Sequence, residues 1–129
     1  MNRMIAKTAL LLLAASAPLS ASTSATIEGH WANPHHTVIV NVSPCGDAYC
    51  GTVTWSSARN HEKGTVPGIR VLSDLRPGGD GTYRGSAFEP KRQMHGSATV
   101  RQLGPDVMMV KGCALLGLVC TEQRWTRVS

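Results

Sequence analysis

The sequence predicts an all-β domain, either an antiparallel sandwich or a small up-and-down barrel of about eight strands. Three observations carry this prediction. Val38, Val40 and Val42 alternate with Thr37, Ile39 and Asn41, a period of two that fits a strand and not a helix. Short runs of the same kind recur to the C-terminus, and turn-forming residues separate them. No long helical pattern follows the first 25 residues. The expected strands are 27–31, 37–43, 50–55, 69–75, 82–88, 96–102, 107–112 and 121–128. Asn33-Pro34 ends the first and Gly46-Asp47 breaks the second from the third. Gly64 with Pro67-Gly68 precedes the fourth, and Pro77-Gly78-Gly79-Asp80-Gly81 precedes the fifth. Glu89-Pro90 and Gly104-Pro105-Asp106 bound the sixth. Residues 56–68 form the longest polar stretch and are expected to be a mobile loop.

Before the strands, Arg3 and Lys7 precede the apolar run 9–15, and small residues follow to Ala25. That is the order of a cleavable export signal. Its apolar core spans about ten residues, half of the roughly twenty that cross a bilayer, so no transmembrane anchor is expected. Pro18 disfavours a cut after Ala17, which leaves Ala21, Ser22 or Ala25 before the cleavage point. The expected organisation is a signal peptide at 1–25 and one domain at 26–129, in the periplasm or secreted. Loss of Arg3 and Lys7 takes the formal charge from +5 to +3. The remaining cations are scattered singly apart from Lys91-Arg92, without the clustered basic face of a nucleic-acid binder.

Four cysteines allow three pairings. Cys45 and Cys50 flank a four-residue hairpin connection, and Cys113 and Cys120 flank 114–119, so each pair is expected to bridge two adjacent strands. A zinc site is the rival, but six residues separate the second pair, against the usual two to four or so, and export favours oxidation. Of the histidines, His35 and His36 on a strand would face opposite sides and share no metal unless the backbone turns there. No Gly-x-Ser-x-Gly elbow occurs, the acidic residues are dispersed, and no metal or cofactor is expected.

The string Gly29-His30-Trp31, the run Pro44-Cys45-Gly46-Asp47-Ala48-Tyr49-Cys50-Gly51, the segment Gly85-Ser86-Ala87-Phe88-Glu89-Pro90 and the ending from Val110-Lys111-Gly112-Cys113 to Trp125-Thr126-Arg127-Val128 resemble domain of unknown function 2147. Where family members usually carry a Gly-Lys-Thr-Tyr-like stretch, this chain has Lys91-Arg92-Gln93-Met94-His95. The resemblance implies a small secreted bacterial protein with a lipocalin-like barrel and without an established activity. It also implies that Trp31 on the first strand is covered by Arg127 from the last, with Arg124 as the alternative, as a structural closure.

An eight-stranded barrel has room for side chains or one small ligand. The leading expectation is a non-enzymatic protein that binds a small apolar or amphipathic molecule, or an envelope partner. One alternative is a hydrolase or isomerase of envelope components that uses an acidic residue and a histidine near Asp47 or His95. Another is an envelope stress or assembly factor with a filled barrel. The segment between Cys113 and Cys120 is apolar where a hairpin connection is ordinarily polar. Leu115, Leu116 and Leu118 are expected either to fold over the barrel end as a lid or to stand exposed beside its mouth as a ligand or partner contact.

Overall fold

The computed structural model describes residues 26–129; the expected export signal lies outside them. Eight strands follow one another around a closed antiparallel barrel. They are β1 (Gly29–Ala32), β2 (Val38–Cys45), β3 (Ala48–Ser56), β4 (Arg70–Pro77), β5 (Thr82–Glu89), β6 (Met94–Gln102), β7 (Val107–Ala114) and β8 (Val119–Arg127). All eight expected strands are present, but β2 to β8 run eight or nine residues, longer than the expected six or so. The extra length comes at the hairpins, where pairing continues almost to the turn residues. The β2–β3 connection is therefore only Gly46-Asp47, with Gly46 in the left-handed region that a two-residue turn demands.

Bulges set which residues face inward. In β3 the register shifts opposite Ile39 and Val40, so Val53 and Ser56 are both buried while Trp55 is turned to solvent. In β4 it shifts between Ser73 and Arg76, where Asp74 has φ 53°, and both Leu72 and Leu75 reach the core.

Residues 56–68 are more ordered than the expected loop. A short helix α1 (Ala58–Glu62) begins at Ser57, whose hydroxyl accepts hydrogen bonds from the Asn60 backbone N–H (3.3 Å) and side-chain amide (3.0 Å). The Ser56 hydroxyl donates to the Thr65 carbonyl at 2.5 Å, and the Thr65 N–H donates to the Asn60 carbonyl at 2.9 Å. Polar composition signalled a loop, but the same polar groups hydrogen-bond one another over the barrel end.

In an up-and-down barrel, successive connections alternate between the two ends. The β1–β2, β3–β4, β5–β6 and β7–β8 connections share one end; the other three share the opposite end with Thr26–Glu28 and the C-terminus.

Candidate functional site

The second of these ends is closed. Ile27, Trp31, Leu75 and Met108 are fully buried there, with the Trp31 indole N–H donating to the Ile27 carbonyl at 2.9 Å. The Arg127 guanidinium lies 4.4 Å from the Trp31 ring centroid. Its Nε and Nη2 donate to the carbonyls of Pro105 and Thr26, each at 2.7 Å, and its Nη1 to that of Glu28. Glycine precedes the tryptophan by two residues because a Cβ at Gly29 would meet the Arg127 guanidinium and, at 2.8 Å, the Ser129 carbonyl. Arg124 is exposed and takes no part in this closure. Asp47 also belongs to this end. It pairs with Arg76 at 3.2 Å, and that hydrogen bond holds its carboxyl below the ordinary carboxylate value. It lies at the opposite end from His95, so those two do not converge.

The first end is open. A cavity of about 490 Å³ is lined by residues from the β1–β2, β3–β4 and β5–β6 connections and from the upper parts of the strands, including the Ala114 and Val119 ends of β7 and β8. Its origin is side-chain size. Reading across β5 to β8, paired residues form successive inward rows. The row nearer the closed end is Tyr83, Val100, Val110 and Gln123. The next is Gly85, Ala98, Gly112 and Thr121, and beyond it stand Ala87 with Gly96 and Ala114 with Val119. The larger side chains fill their level, whereas Ala87, Gly96, Gly112, Ala114 and Thr121 line an unfilled upper barrel; Gly85 and Gly96 are also required by close packing, because a Cβ at either would meet the backbone of the neighbouring strand. The barrel is thus not filled to its end.

The cavity floor carries Val40, Leu72, Val110 and Trp125, whose indole N–H donates to the Gln123 side-chain oxygen at 2.8 Å. The lip is polar: Asn33, His35, Thr37, Asn60, Thr65, Glu89, Lys91, Arg92 and His95. One side of the wall is thin. The strand β1 is four residues long and pairs with β8 only at Trp31↔Arg127 and Ala32↔Thr126. The upper half of β8 therefore has β7 on one side and no strand on the other, and residues 119–124 are exposed. Beside that edge the β1–β2 turn lines the cavity through Asn33 and His35. His35 and His36 sit in that turn, where φ of 56° at His36 bends the backbone.

Both disulfides are local, one at each end. Cys113 and Cys120 are direct cross-strand partners at the open end. Cys45 and Cys50 are joined at a Cα separation of 5.8 Å, but diagonally: Cys45 opposes Ala48 and Cys50 opposes Ser43. The two-residue turn shifts that register from the expected face-to-face pairing. Beyond Cys113, Leu115, Leu116 and Leu118 are exposed at 62%, 105% and 85%, so they form no lid. Leu115, Leu116 and Gly117 all adopt left-handed backbone angles, which carry the turn away from the core.

A family model described as "Uncharacterized protein conserved in bacteria (DUF2147)" matches residues 29–127. The chain belongs to that family. The matched DUF2147 span runs from the glycine under Arg127 to Arg127 itself, and so takes in the whole barrel wall. No curated protein and no solved structure matches the chain. No helix among the described residues is long and apolar enough to cross a membrane.

Sequence reasoning named the closing pair, the cysteines and the leucine turn but missed the cavity and its lining. A signal for it exists. Gly85 and Ala87, Gly96 and Ala98, Gly112 and Ala114 are small residues two apart on three consecutive strands, where larger apolar residues would be expected inside a barrel.

Proposed function

We propose that this protein is a binding protein that takes a small amphipathic molecule into the open end of the barrel. The observation that carries this reading is the cavity left by two rows of small residues, with an apolar floor at Trp125 and a polar lip. Its volume of about 490 Å³ falls within the range of roughly 300–1,000 Å³ typical of small-molecule sites. The floor suits an apolar body, and Lys91, Arg92, Asn60 and Thr65 at the lip suit a polar or anionic group. Two disulfides fit an oxidising compartment, and we place the protein in the periplasm or outside the cell.

Native mass spectrometry of the exported protein, paired with titration of anilinonaphthalene sulfonate, tests this reading. The expected chain starts between Ser22 and Thr26 and retains a small molecule. The expected probe signal rises on binding and quenches Trp125. Gly112→Leu is the discriminating variant: a Cβ there meets the Ala87 Cβ at an ordinary 3.7 Å, so the longer side chain fills the space rather than splitting the wall. Binding should fall at least about tenfold in that variant, because the leucine occupies the ligand's place. Unchanged affinity in Gly112→Leu would show that the probe sits elsewhere.

A further inference from the structure

We propose that the open end of the barrel docks on an anionic lipid surface, with the β7–β8 turn entering the headgroup boundary through Leu115, Leu116 and Leu118. This interaction goes beyond cavity binding and does not depend on it. Nothing in the barrel explains the turn. The three leucines belong neither to the core nor to the cavity lining. Leu115 and Leu116 occupy φ of 54° and 58°, a region that Gly, Asn and Asp populate more readily than leucine. Local rules broken without a compensating contact mark functional surfaces more often than defects. The Cys113–Cys120 bridge fixes the base of the turn, so little ordering remains to be done on contact.

The charges around the turn select the occupant. Lys91 and Arg92 are exposed on the neighbouring β5–β6 connection and face the same mouth as Ala114 and Val119. Arg59 and Lys63 stand exposed on the adjoining α1 segment, where a Cβ at Gly64 would lie 3.4 Å from the Pro90 carbonyl. Among the described residues none of these four cations is in a salt bridge. Glu62 and Glu89 oppose them, with the Glu89 carboxylate accepting the Lys91 backbone N–H at 2.8 Å, while Glu122 on the upper half of β8 stands opposite Lys111 of β7. At the closed end the signs differ: Asp47 and Asp74 pair with Arg76, and Asp106 with Arg127. An apolar tip with cations beside it on the β5–β6 connection and across the same mouth on α1 is the arrangement that binds anionic bilayers, combining shallow insertion with attraction to headgroups. A second copy of the chain would bring the same cations face to face, which opposes self-association. Val119, 41% exposed, joins the leucines to the cavity wall, so docking would set the mouth at the lipid boundary.

Co-sedimentation of the exported protein with mixed phosphatidylcholine–phosphatidylglycerol vesicles, and with pure phosphatidylcholine vesicles, tests the proposal. The parent should bind the mixed vesicles, more weakly as salt is raised. L116D/L118D should bind at least about tenfold less, with an unchanged melting temperature, and K91E/R92E should lose the preference for the anionic lipid. L116N/L118N provides the uncharged version should the aspartates disturb the turn. Gly112→Leu should bind vesicles like the parent, which separates docking from cavity occupation. Equal vesicle binding by the parent and both leucine double variants would overturn the proposal, as would no binding to either vesicle. A concentration-dependent dimer abolished by L116D/L118D, with no vesicle effect, would assign the turn to a second copy instead.

Discussion

The two ends of this barrel share a wall and differ in what the wall carries inward. At the closed end Trp31, Ile27, Leu75 and Met108 leave no room, and Arg127 ties three carbonyls of two chain segments over the plug. At the open end the same β5, β6 and β7 present Ala87, Gly96, Gly112 and Ala114, and a cavity results. Strand number sets the diameter of a small barrel, but side-chain volume decides which part of it is core and which part is site. Stability and binding are thereby separated along one axis, and substitutions at the two ends should act on different measurements.

The largest effect is expected at the plug. Trp31→Ala removes a fully buried indole, its hydrogen bond to Ile27 and the surface on which Arg127 stacks. Chemical denaturation should show a loss of about 3 to 5 kcal/mol, the range for large aromatic-to-alanine changes in cores. A loss below about 1 kcal/mol would mean that the closed end contributes no more than an ordinary surface.

Next in size are the disulfides, which allow the ends to be compared by the same chemistry. Each closes a loop of six to eight residues, for which chain entropy gives about 2 to 2.5 kcal/mol. Their surroundings differ: Cys50 is buried at 4% exposure, whereas Cys120 is exposed. Replacing Cys45 and Cys50 by serine should therefore cost more than the entropic value, because a hydroxyl enters the core at Cys50. Replacing Cys113 and Cys120 should cost about that value and no more. Under mild reductant the open-end bridge should be alkylated first, as peptide mapping would show. Equal costs and equal rates would erase the distinction between the ends.

How much of this was legible in the sequence depends on the kind of signal. Period-two alternation reported all eight strands, most clearly where one face is buried, as at Val40 and Val42 in β2 and Ala98 and Val100 in β6. The Gly29-x-Trp31 start and Arg127 were readable through the family resemblance, since their contact joins residues 96 apart and leaves no local trace. The α1 segment was missed because its stability rests on side-chain hydrogen bonds among Ser56, Ser57, Asn60 and Thr65, which composition reads as a loop. The diagonal Cys45–Cys50 geometry was missed because turn length fixes register, and a two-residue turn at Gly46-Asp47 was read as four. The cavity is a statement about absent volume, and only the register that sets Ala98 beside Gly112 and Gly112 beside Thr121 gathers the small residues into one place.

The smallest stability effect should come from the most conspicuous residue of the open end. Leu116 is fully exposed and touches none of the core, so Leu116→Asn removes no buried area. Surface changes of this kind ordinarily stay within about 0.5 kcal/mol. Here a second contribution has a definite sign. Leu116 has φ of 58°, and asparagine adopts left-handed angles more readily because its short amide hydrogen-bonds the local backbone. The variant should therefore melt at or slightly above the parent temperature. The leucine turn is then neither a lid nor a structural necessity, and its worth to the protein must be sought in contacts outside the barrel. A clear loss of stability in Leu116→Asn would show the opposite: that the turn folds down onto the mouth in solution, and that the open end is closed by its own leucines.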